Sequence, residues 1–238
     1  MKTNLKRTLY AGCMLALISF GISCKNDIDN YDAPSGGIHG TIYDEETKEP
    51  IPLPAQGGAG VLVNLFEQNT NATKSVDFRA KQDGTYENTQ VFNSDYKVVV
   101  NGPFVAACQD YVSINGQTQL DLSAKPFSRI ALQASISADN KVTLNYSVAK
   151  TDDAFTINEV SVMWNFAPGV DVNSTNYAGR ATKGTDATGN HEFDLATDNQ
   201  FINNRYKIQA NNNSIYVRVA AKVNNTVNYS KVIALKVN

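Results

Sequence analysis

The stretch RIALQASISADNKVTLNYSVAK, residues 129–150, decides the fold class. Its apolar residues alternate with polar ones on both sides of Asp139-Asn140, and this two-residue period is typical of β-strands that bury one face. Asp and Asn tolerate the backbone geometry of a tight turn, so the stretch predicts a β-hairpin. The alternating residues are Ile130, Leu132, Ala134 and Ile136 before the turn, and Val142, Leu144, Tyr146 and Val148 after it.

Similar short runs continue towards the carboxyl terminus, and none shows the sustained 3.6-residue period of a helix. An apolar face over residues 160–166 comes first, and two closing runs follow at 215–223 and 232–237. The polar segment that follows residues 160–166, residues 167–190, is predicted to be a long loop. About seven short strands in roughly 110 residues are typical of an immunoglobulin-like or fibronectin-like β-sandwich.

The first half shows the same pattern. Ile38 and Ile42 share one face of a predicted strand, and His39 lies on the other face. Further predicted strands cover residues 61–66, 76–80 and 96–100. Asp83-Gly84 and Asn115-Gly116 predict turns, and Gly102-Pro103 ends the strand over residues 96–100. Ser123-Ala124-Lys125-Pro126 is the best linker candidate. The sequence therefore predicts an all-β protein with two consecutive β-sandwich domains, at residues 36–123 and 124–238.

The amino terminus has the three parts of a secretory signal. Lys2, Lys6 and Arg7 give it a positive start, and residues 9–22 form an apolar run. As a helix this run would span about 21 Å, which is short of the roughly 30 Å hydrocarbon core of a membrane. The pattern therefore predicts a cleaved signal peptide over residues 1–23 rather than a transmembrane anchor.

Small residues lead to a cysteine at the end of this signal, in Gly21-Ile22-Ser23-Cys24. The segment resembles the lipobox of bacterial lipoproteins, with glycine where leucine is usual at the first position, and the resemblance implies that Cys24 carries the lipid. Cys13 follows an apolar run that is too short for a signal. The alternative is an ordinary signal peptide that ends by chance at a cysteine. Residues 24–35 are polar and acidic, which predicts a flexible tether, and they are similar to the export signal of Bacteroidetes surface lipoproteins.

Charge and cysteine content exclude several classes of function. Removal of residues 1–23 takes away three of the 21 lysines and arginines and none of the 23 acids, which leaves a net charge of −5. Nucleic-acid binding needs clustered basic residues that neutralise phosphates, so this balance argues against it. Cys108, the thiol that remains besides Cys24, is predicted to be a small buried hydrophobe rather than a nucleophile.

The sequence contains no catalytic, metal or cofactor motif. His39 and His191 have no motif that links them to a nucleophile or to a set of metal ligands. Residues 171–182 resemble a calcium loop only faintly, because Asn176 replaces the glycine of the sixth position and Thr182 replaces the glutamate of the twelfth. The sequence therefore predicts a protein that is not an enzyme and has neither metal nor cofactor.

Carbohydrate binding leaves a different signature, because sugar rings stack on flat aromatic side chains while nearby polar groups bind their hydroxyls. Tyr177 lies in the segment predicted as a loop, with Asn176 and Arg180 close by, and the alternative for this segment is a purely solvated loop. Trp164 is the only tryptophan, and its alternation with apolar neighbours makes it either a core residue or an exposed platform. The candidate ligand contacts are therefore Tyr177, Arg180, Asn176 and Trp164.

Several motifs of the first half resemble known sandwiches. Residues 40–47, GTIYDEET, with Pro50-Ile51 resemble the opening of carboxypeptidase-regulatory or transthyretin-like domains, and residues 83–86 and 95–98 resemble the later tyrosine motifs of those domains. With Gly102-Pro103-Phe104, the arrangement resembles a Bacteroidetes lipoprotein family of unknown function, the domain of unknown function 3823. That family combines a transthyretin-like amino-terminal domain with a fibronectin-like second domain, whose penultimate strand and following turn resemble residues 216–219 and 228–230 here.

The resemblance implies a cellular setting. Members of the family accompany the SusC- and SusD-like proteins of glycan-uptake loci, so it implies an outer-membrane lipoprotein exposed on the cell surface, with oligosaccharide and SusC/SusD-like proteins as partners. The function expected is that of a non-catalytic, glycan-binding accessory of a polysaccharide uptake system. The alternative is a structural or protein-docking module of an outer-membrane complex with no sugar site.

Overall fold

A computed structural model describes residues 32–57 and 60–237. The predicted signal peptide and most of the predicted tether, Cys24 included, lie outside these residues. No helix of the described part is long and apolar enough to cross a membrane. From Pro34 onward the chain forms one compact unit. Its described residues contain two large apolar cores and a smaller apolar cluster of Met163, Val170, Ala220 and Tyr229.

The first core lies between two four-stranded sheets. One sheet has the order β4-β1-β7, with β8 extending the pairing along β1, and the other has the order β3-β2-β5-β6. Ile38 and Ile42 of β1 are fully buried and His39 is exposed, so the predicted faces of this strand are confirmed. The strands are β1 (Gly36–Asp44), β2 (Leu62–Glu67), β3 (Val76–Arg79), β4 (Thr85–Val91), β5 (Ser94–Asn101), β6 (Cys108–Ile114), β7 (Gln117–Gln119) and β8 (Leu122–Ala124).

The second core lies between a three-stranded sheet of order β13-β10-β9 and a five-stranded sheet of order β12-β11-β14-β15, in which β16 also pairs with β14. The prediction of an all-β protein built from sandwiches is confirmed. The elements are β9 (Ser128–Ile136), β10 (Lys141–Lys150), β11 (Ile157–Asn165), β12 (Gly179–Thr182), β13 (Thr188–Asp194), α1 (Asn199–Asn203), α2 (Arg205–Ala210), β14 (Ser214–Val223), β15 (Thr226–Tyr229) and β16 (Ile233–Lys236).

Predicted turns have the expected backbone geometry. Gly84 (φ 89°) and Gly116 (φ 69°) adopt the left-handed conformation that glycine tolerates best, and Asn140 (φ 59°) does the same in the β9–β10 hairpin. Asn224 and Asn225 (φ 46° and 64°) form a further tight turn, which leads into β15. The sequence prediction missed β15 because this strand is only four residues long.

The prediction of one loop over residues 167–190 is wrong. β12 and the start of β13 lie inside that segment. Both are outer strands of their sheets with largely solvent-facing side chains, so they carry few apolar residues and their alternation is weak. The helices α1 and α2 were also missed, because five and six residues are too few to display a helical period. Their buried residues, Phe201 and Ile208, belong to the second core.

The predicted linker at residues 123–126 is fixed on both sides. Ala124 of β8 lies opposite Asp44 of β1 in parallel pairing. The Val105 N–H donates to the Lys125 carbonyl oxygen at 2.8 Å, and Pro126 forms an isolated bridge with Phe104. The junction between the two cores is therefore part of the folded structure.

Cys108 is buried as predicted, with 7% of its surface exposed, and burial raises the pKa of its thiol from 9.0 to about 11. A protein that begins at residue 24 and carries Cys24→Ser has Cys108 as its only thiol. We expect iodoacetamide at pH 8 to label the native form at least about 100-fold more slowly than the urea-unfolded form. The reagent attacks the thiolate, and a pKa higher by two units lowers the thiolate fraction at this pH by about that factor. Mass spectrometry over time measures the two rates, and equal rates would contradict the buried position.

Candidate functional site

A row of three side chains crosses the outer face of the sheet β3-β2-β5-β6. The strand register places Phe66 opposite Lys97 and Lys97 opposite Tyr111. Since side chains alternate along a strand and the neighbouring Leu65 and Val98 are fully buried, these three point away from the core. Tyr111 is 64% exposed, and the other two are half-buried. We call this surface the aromatic face.

Hydrogen-bonding groups flank the aromatic face. In the next row of the register, Asn64 and Gln109 both lie opposite Val99. On the other side, the Ser113 hydroxyl donates to the Asp95 carboxylate, and Asn69 donates to it at 3.2 Å. These two bonds lower the pKa of Asp95, so at neutral pH the group is an ionised acceptor.

This arrangement has the chemistry of a carbohydrate platform. The backbones of strands that lie two apart in a sheet are separated by about 10 Å, so the row is long enough for more than one sugar ring. Aromatic faces take the apolar C–H surface of a sugar, while amide and carboxylate groups take its hydroxyls. The residues sit on paired strands rather than on a loop, which fixes their spacing before a ligand arrives.

Trp164, one of the candidates from sequence, is a core residue and not a platform. It is fully buried, and its indole N–H donates to an Asp198 carboxylate oxygen at 3.3 Å. Phe201 packs edge-on against it, with ring centroids 6.3 Å apart. At the start of β12, a Cβ at residue 179 would come within 2.2 Å of the indole nitrogen, so only glycine fits at this position. The alternation of Trp164 with apolar neighbours was the correct signal for burial.

Tyr177 and Arg180 do come together. The Arg180 guanidinium lies 5.8 Å from the centroid of the Tyr177 ring and donates to Glu159 at 2.6 Å and to Ser161 at 3.0 Å. Both Arg180 and Glu159 line a polar depression of about 370 Å³ together with Ser161, Lys222 and Asn225. We call it the Arg180 depression. Its cation is already paired and lies over the tyrosine ring, so it offers less to a sugar than the aromatic face does.

Asn176 acts within its own loop. Its side-chain amide donates to an Asp171 carboxylate oxygen at 3.0 Å. Asp171 is 1% exposed and also accepts from the Ala55 N–H at 3.1 Å and the Asn173 N–H at 2.8 Å. This carboxylate therefore ties the loop to the first sandwich, and the described residues contain no group of three or more acidic, histidine or cysteine side chains placed to hold a metal ion.

Arg218 is the most unusual polar residue of the interface between the two cores. It is fully buried, and its guanidinium donates to three carbonyl oxygens, those of Leu53 (2.7 Å), Val170 (2.8 Å) and Ser230 (2.8 Å). It also lies 4.5 Å from the centroid of the Tyr229 ring. Burial lowers its pKa to about 10, and the group stays protonated at neutral pH. A single cation thus holds one segment of the first sandwich and two of the second.

Asn228 joins the two sandwiches in a similar way. Its amide donates to the Pro103 carbonyl oxygen at 2.8 Å, and its side-chain oxygen accepts from the Ser128 N–H at 3.0 Å. Sequence reasoning missed both interface residues. The available signal was β14 itself, where apolar residues stand on both faces around Arg218, a pattern that indicates a strand covered on both sides.

An apolar cleft of about 560 Å³ lies beside this interface. Its walls are the hairpin after β1, the edge of β9 and the segment from β15 to β16. At its rim Arg129 makes two bonds to Asp44, at 2.6 and 2.9 Å, and one to Glu46 at 2.8 Å. Lys231 contacts Glu49 at 2.9 Å on the same rim. We call this space the interdomain cleft.

The ion pair at the rim predicts a pH-dependent stability. Burial alone raises the pKa of Asp44, but hydrogen bonds from Arg129 and from the Glu46 and Thr47 amides outweigh it, so the net pKa is lowered. A carboxyl with a lowered folded pKa stabilises the fold above its unfolded pKa of about 3.9 and loses that effect as the pH falls through the folded value.

We therefore expect Asp44→Asn to lower the unfolding free energy by about 1–3 kcal/mol at pH 7 and by progressively less below pH 4. Urea unfolding at a series of pH values measures both proteins. A difference that stays constant down to pH 2 would show that Asp44 contributes through shape rather than charge.

The amino-terminal part of the chain matches a known protein family. Residues 36–125 match the family model described as "Protein of unknown function (DUF3823) N-terminal domain". A DUF3823 family protein from Parabacteroides merdae superimposes with a TM-score of 0.71 at 20% identity, covering 86% of this chain and 100% of that chain. One from Bacteroides ovatus gives 0.67 at 18% identity, with 85% and 99% covered.

A protein from Bacteroides uniformis described as a "putative carbohydrate binding protein" gives a TM-score of 0.64 at 17% identity, with 86% of this chain and 100% of that chain covered. No protein of curated function matches the sequence significantly. At such identities the structural likeness establishes a shared fold over both sandwiches.

Proposed function

The chain belongs to the DUF3823 family through its amino-terminal domain, and from this premise we propose that it is a non-catalytic carbohydrate-binding protein, held by a lipid on Cys24 at the surface of the outer membrane. The observation that carries the proposal is the aromatic face, with Phe66 and Tyr111 on either side of Lys97. The carbohydrate-binding description of a structural neighbour supports it.

Its role in the cell would be accessory. A lipid-anchored binder beside a SusC/SusD-type importer raises the local concentration of oligosaccharide at the transporter, since tethered binding sites act through effective concentration rather than through new contacts. The role is proposed as non-catalytic because no sequence motif links either histidine to a nucleophile. The two also lie on different sandwiches, His39 on β1 and His191 on β13.

Affinity electrophoresis against a panel of polysaccharides tests the proposal. The protein for this experiment begins at residue 24 and carries Cys24→Ser. We expect at least one polysaccharide to retard it, and we expect Arg180→Ala to be retarded equally, because the Arg180 depression is not the proposed site. Migration unaffected by every polysaccharide of the panel would count against carbohydrate binding and would favour a structural or protein-docking role.

A further inference from the structure

Strand β9 has a free edge. It pairs with β10 and lies at the end of its sheet. Phe127 and Ser137, the residues just before and just after β9, both bond to the β10 side. The Thr151 N–H donates to the Phe127 carbonyl oxygen at 3.1 Å, and the Ser137 N–H donates to the Lys141 carbonyl oxygen at 2.9 Å. Backbone groups alternate in direction along a strand, so the odd-numbered residues bond to β10 and the even-numbered ones point away from it.

This free edge borders the interdomain cleft. Ser128, Ile130 and Leu132 all line the cleft. The Ser128 N–H is bound by the side-chain oxygen of Asn228 at 3.0 Å, whereas the outward backbone groups of Ile130 and Leu132 have no strand partner within residues 32–57 and 60–237. Edge strands are normally protected by proline, lysine or a bulge, and β9 has none of these from Ile130 onward.

The Ser128 side chain gives an independent indication of a ligand. It is 4% exposed and lines the cleft, and its hydroxyl has no hydrogen-bond partner in the described part of the chain. A buried hydroxyl without a partner destabilises the fold, so such a group is retained more readily where a ligand satisfies it. The surrounding walls are apolar and include Pro50, Pro52 and Ile233.

The chemistry of the cleft selects among occupants. A sugar would find no exposed aromatic ring there, since Tyr229 is 5% exposed. A charged ligand would find Arg129 and Lys231 already paired with acids of the first sandwich. An extended, uncharged polypeptide matches every feature: its backbone bonds the free edge, its alternate apolar side chains fill the walls, and one of its polar groups reaches Ser128.

We propose that the interdomain cleft binds an extended apolar segment of a partner protein, which adds as a fourth strand to the sheet β13-β10-β9 through the backbone of Ile130 and Leu132. Both sandwiches supply walls, so the site exists only while the interface around Arg218 and Asn228 is intact. This docking site uses none of the residues of the aromatic face and is independent of carbohydrate binding.

The probe is an acetylated, amidated synthetic peptide copying residues 142–148, an uncharged segment that already pairs with β9 along its other edge. We expect it to bind the protein that begins at residue 24 with Cys24→Ser, and to slow amide hydrogen exchange at Ile130 and Leu132. A scrambled peptide of the same composition should not. Slowed exchange confined to another strand, or equal binding of the scrambled peptide, would overturn the proposal.

Two variants separate strand addition from non-specific adhesion. Leu132→Pro removes an outward N–H without breaking a bond to β10, and should weaken peptide binding by about 10-fold or more; Ala134→Pro makes the same change beyond the cleft lining and should not. Ser128→Ala should weaken binding several-fold without lowering Tm, because the hydroxyl is unpartnered in the free protein. Unchanged binding in both Leu132→Pro and Ser128→Ala, or binding of maltohexaose that Ser128→Ala abolishes, would contradict a peptide site.

Discussion

Arg218→Ala is expected to lower the unfolding free energy by about 3–5 kcal/mol, the range for loss of one partner from a buried charged network. The substitution leaves the buried carbonyl oxygens of Leu53, Val170 and Ser230 without their donor. Each unsatisfied buried carbonyl lowers the unfolding free energy by about 1–3 kcal/mol. The variant no longer has to bury a charged group, which offsets part of this loss. Chemical denaturation at pH 7 gives the value.

The matched control is Arg180→Ala. Arg180 also makes an ion pair, but both it and Glu159 are partly exposed to solvent, so its loss should cost about 1 kcal/mol or less. Hydrogen exchange adds a local measurement, since loss of Arg218 should speed exchange around Ala55 and Ser128, where the two sandwiches meet. Equal costs for the two arginines would mean that Arg218 is not what holds the sandwiches together.

Cys24→Ser is expected to move essentially all of the protein from the membrane fraction to the soluble fraction. Each buried methylene of an attached acyl chain adds about 0.8 kcal/mol, and lipoproteins carry more than one chain, so anchoring through Cys24 would be effectively permanent and its loss complete. Fractionation of cells and metabolic labelling with an alkyne fatty acid measure location and lipidation together.

Cys13→Ser is the matched control, because it changes the other cysteine of the amino-terminal segment. This variant should remain labelled and membrane-bound. Continued labelling of the Cys24→Ser variant, or release of the Cys13→Ser variant, would contradict lipidation at Cys24.

The all-β class could be predicted because apolar alternation is strong wherever one face of a strand is buried. The hairpin at residues 129–150 and the buried pair Ile38 and Ile42 are examples. Sequence prediction failed for strands that bury few apolar side chains. β12 and β13 lie at sheet edges and carry polar side chains on most positions, so their sequences are indistinguishable from a loop by period alone.

The candidate site was harder to predict because it depends on neighbours across strands. Tyr111 is ordinary in sequence, and only the register of β2, β5 and β6 places it in one row with Phe66 and Lys97. Arg218 was missed for another reason. A single charged residue is normally assigned to the surface, and only the apolar residues on both faces of β14 indicated that this position is covered.

Calorimetric titration of Tyr111→Ala with the polysaccharide that retards the wild-type protein tests the central claim most directly. The control is Tyr206→Ala, which removes a tyrosine of nearly equal exposure, 65% against 64%, from helix α2. Loss of a stacked aromatic ring should weaken binding by about 10-fold or more in Tyr111→Ala, with Tyr206→Ala unchanged and both proteins equally stable. Undiminished affinity in Tyr111→Ala would contradict carbohydrate binding by the aromatic face.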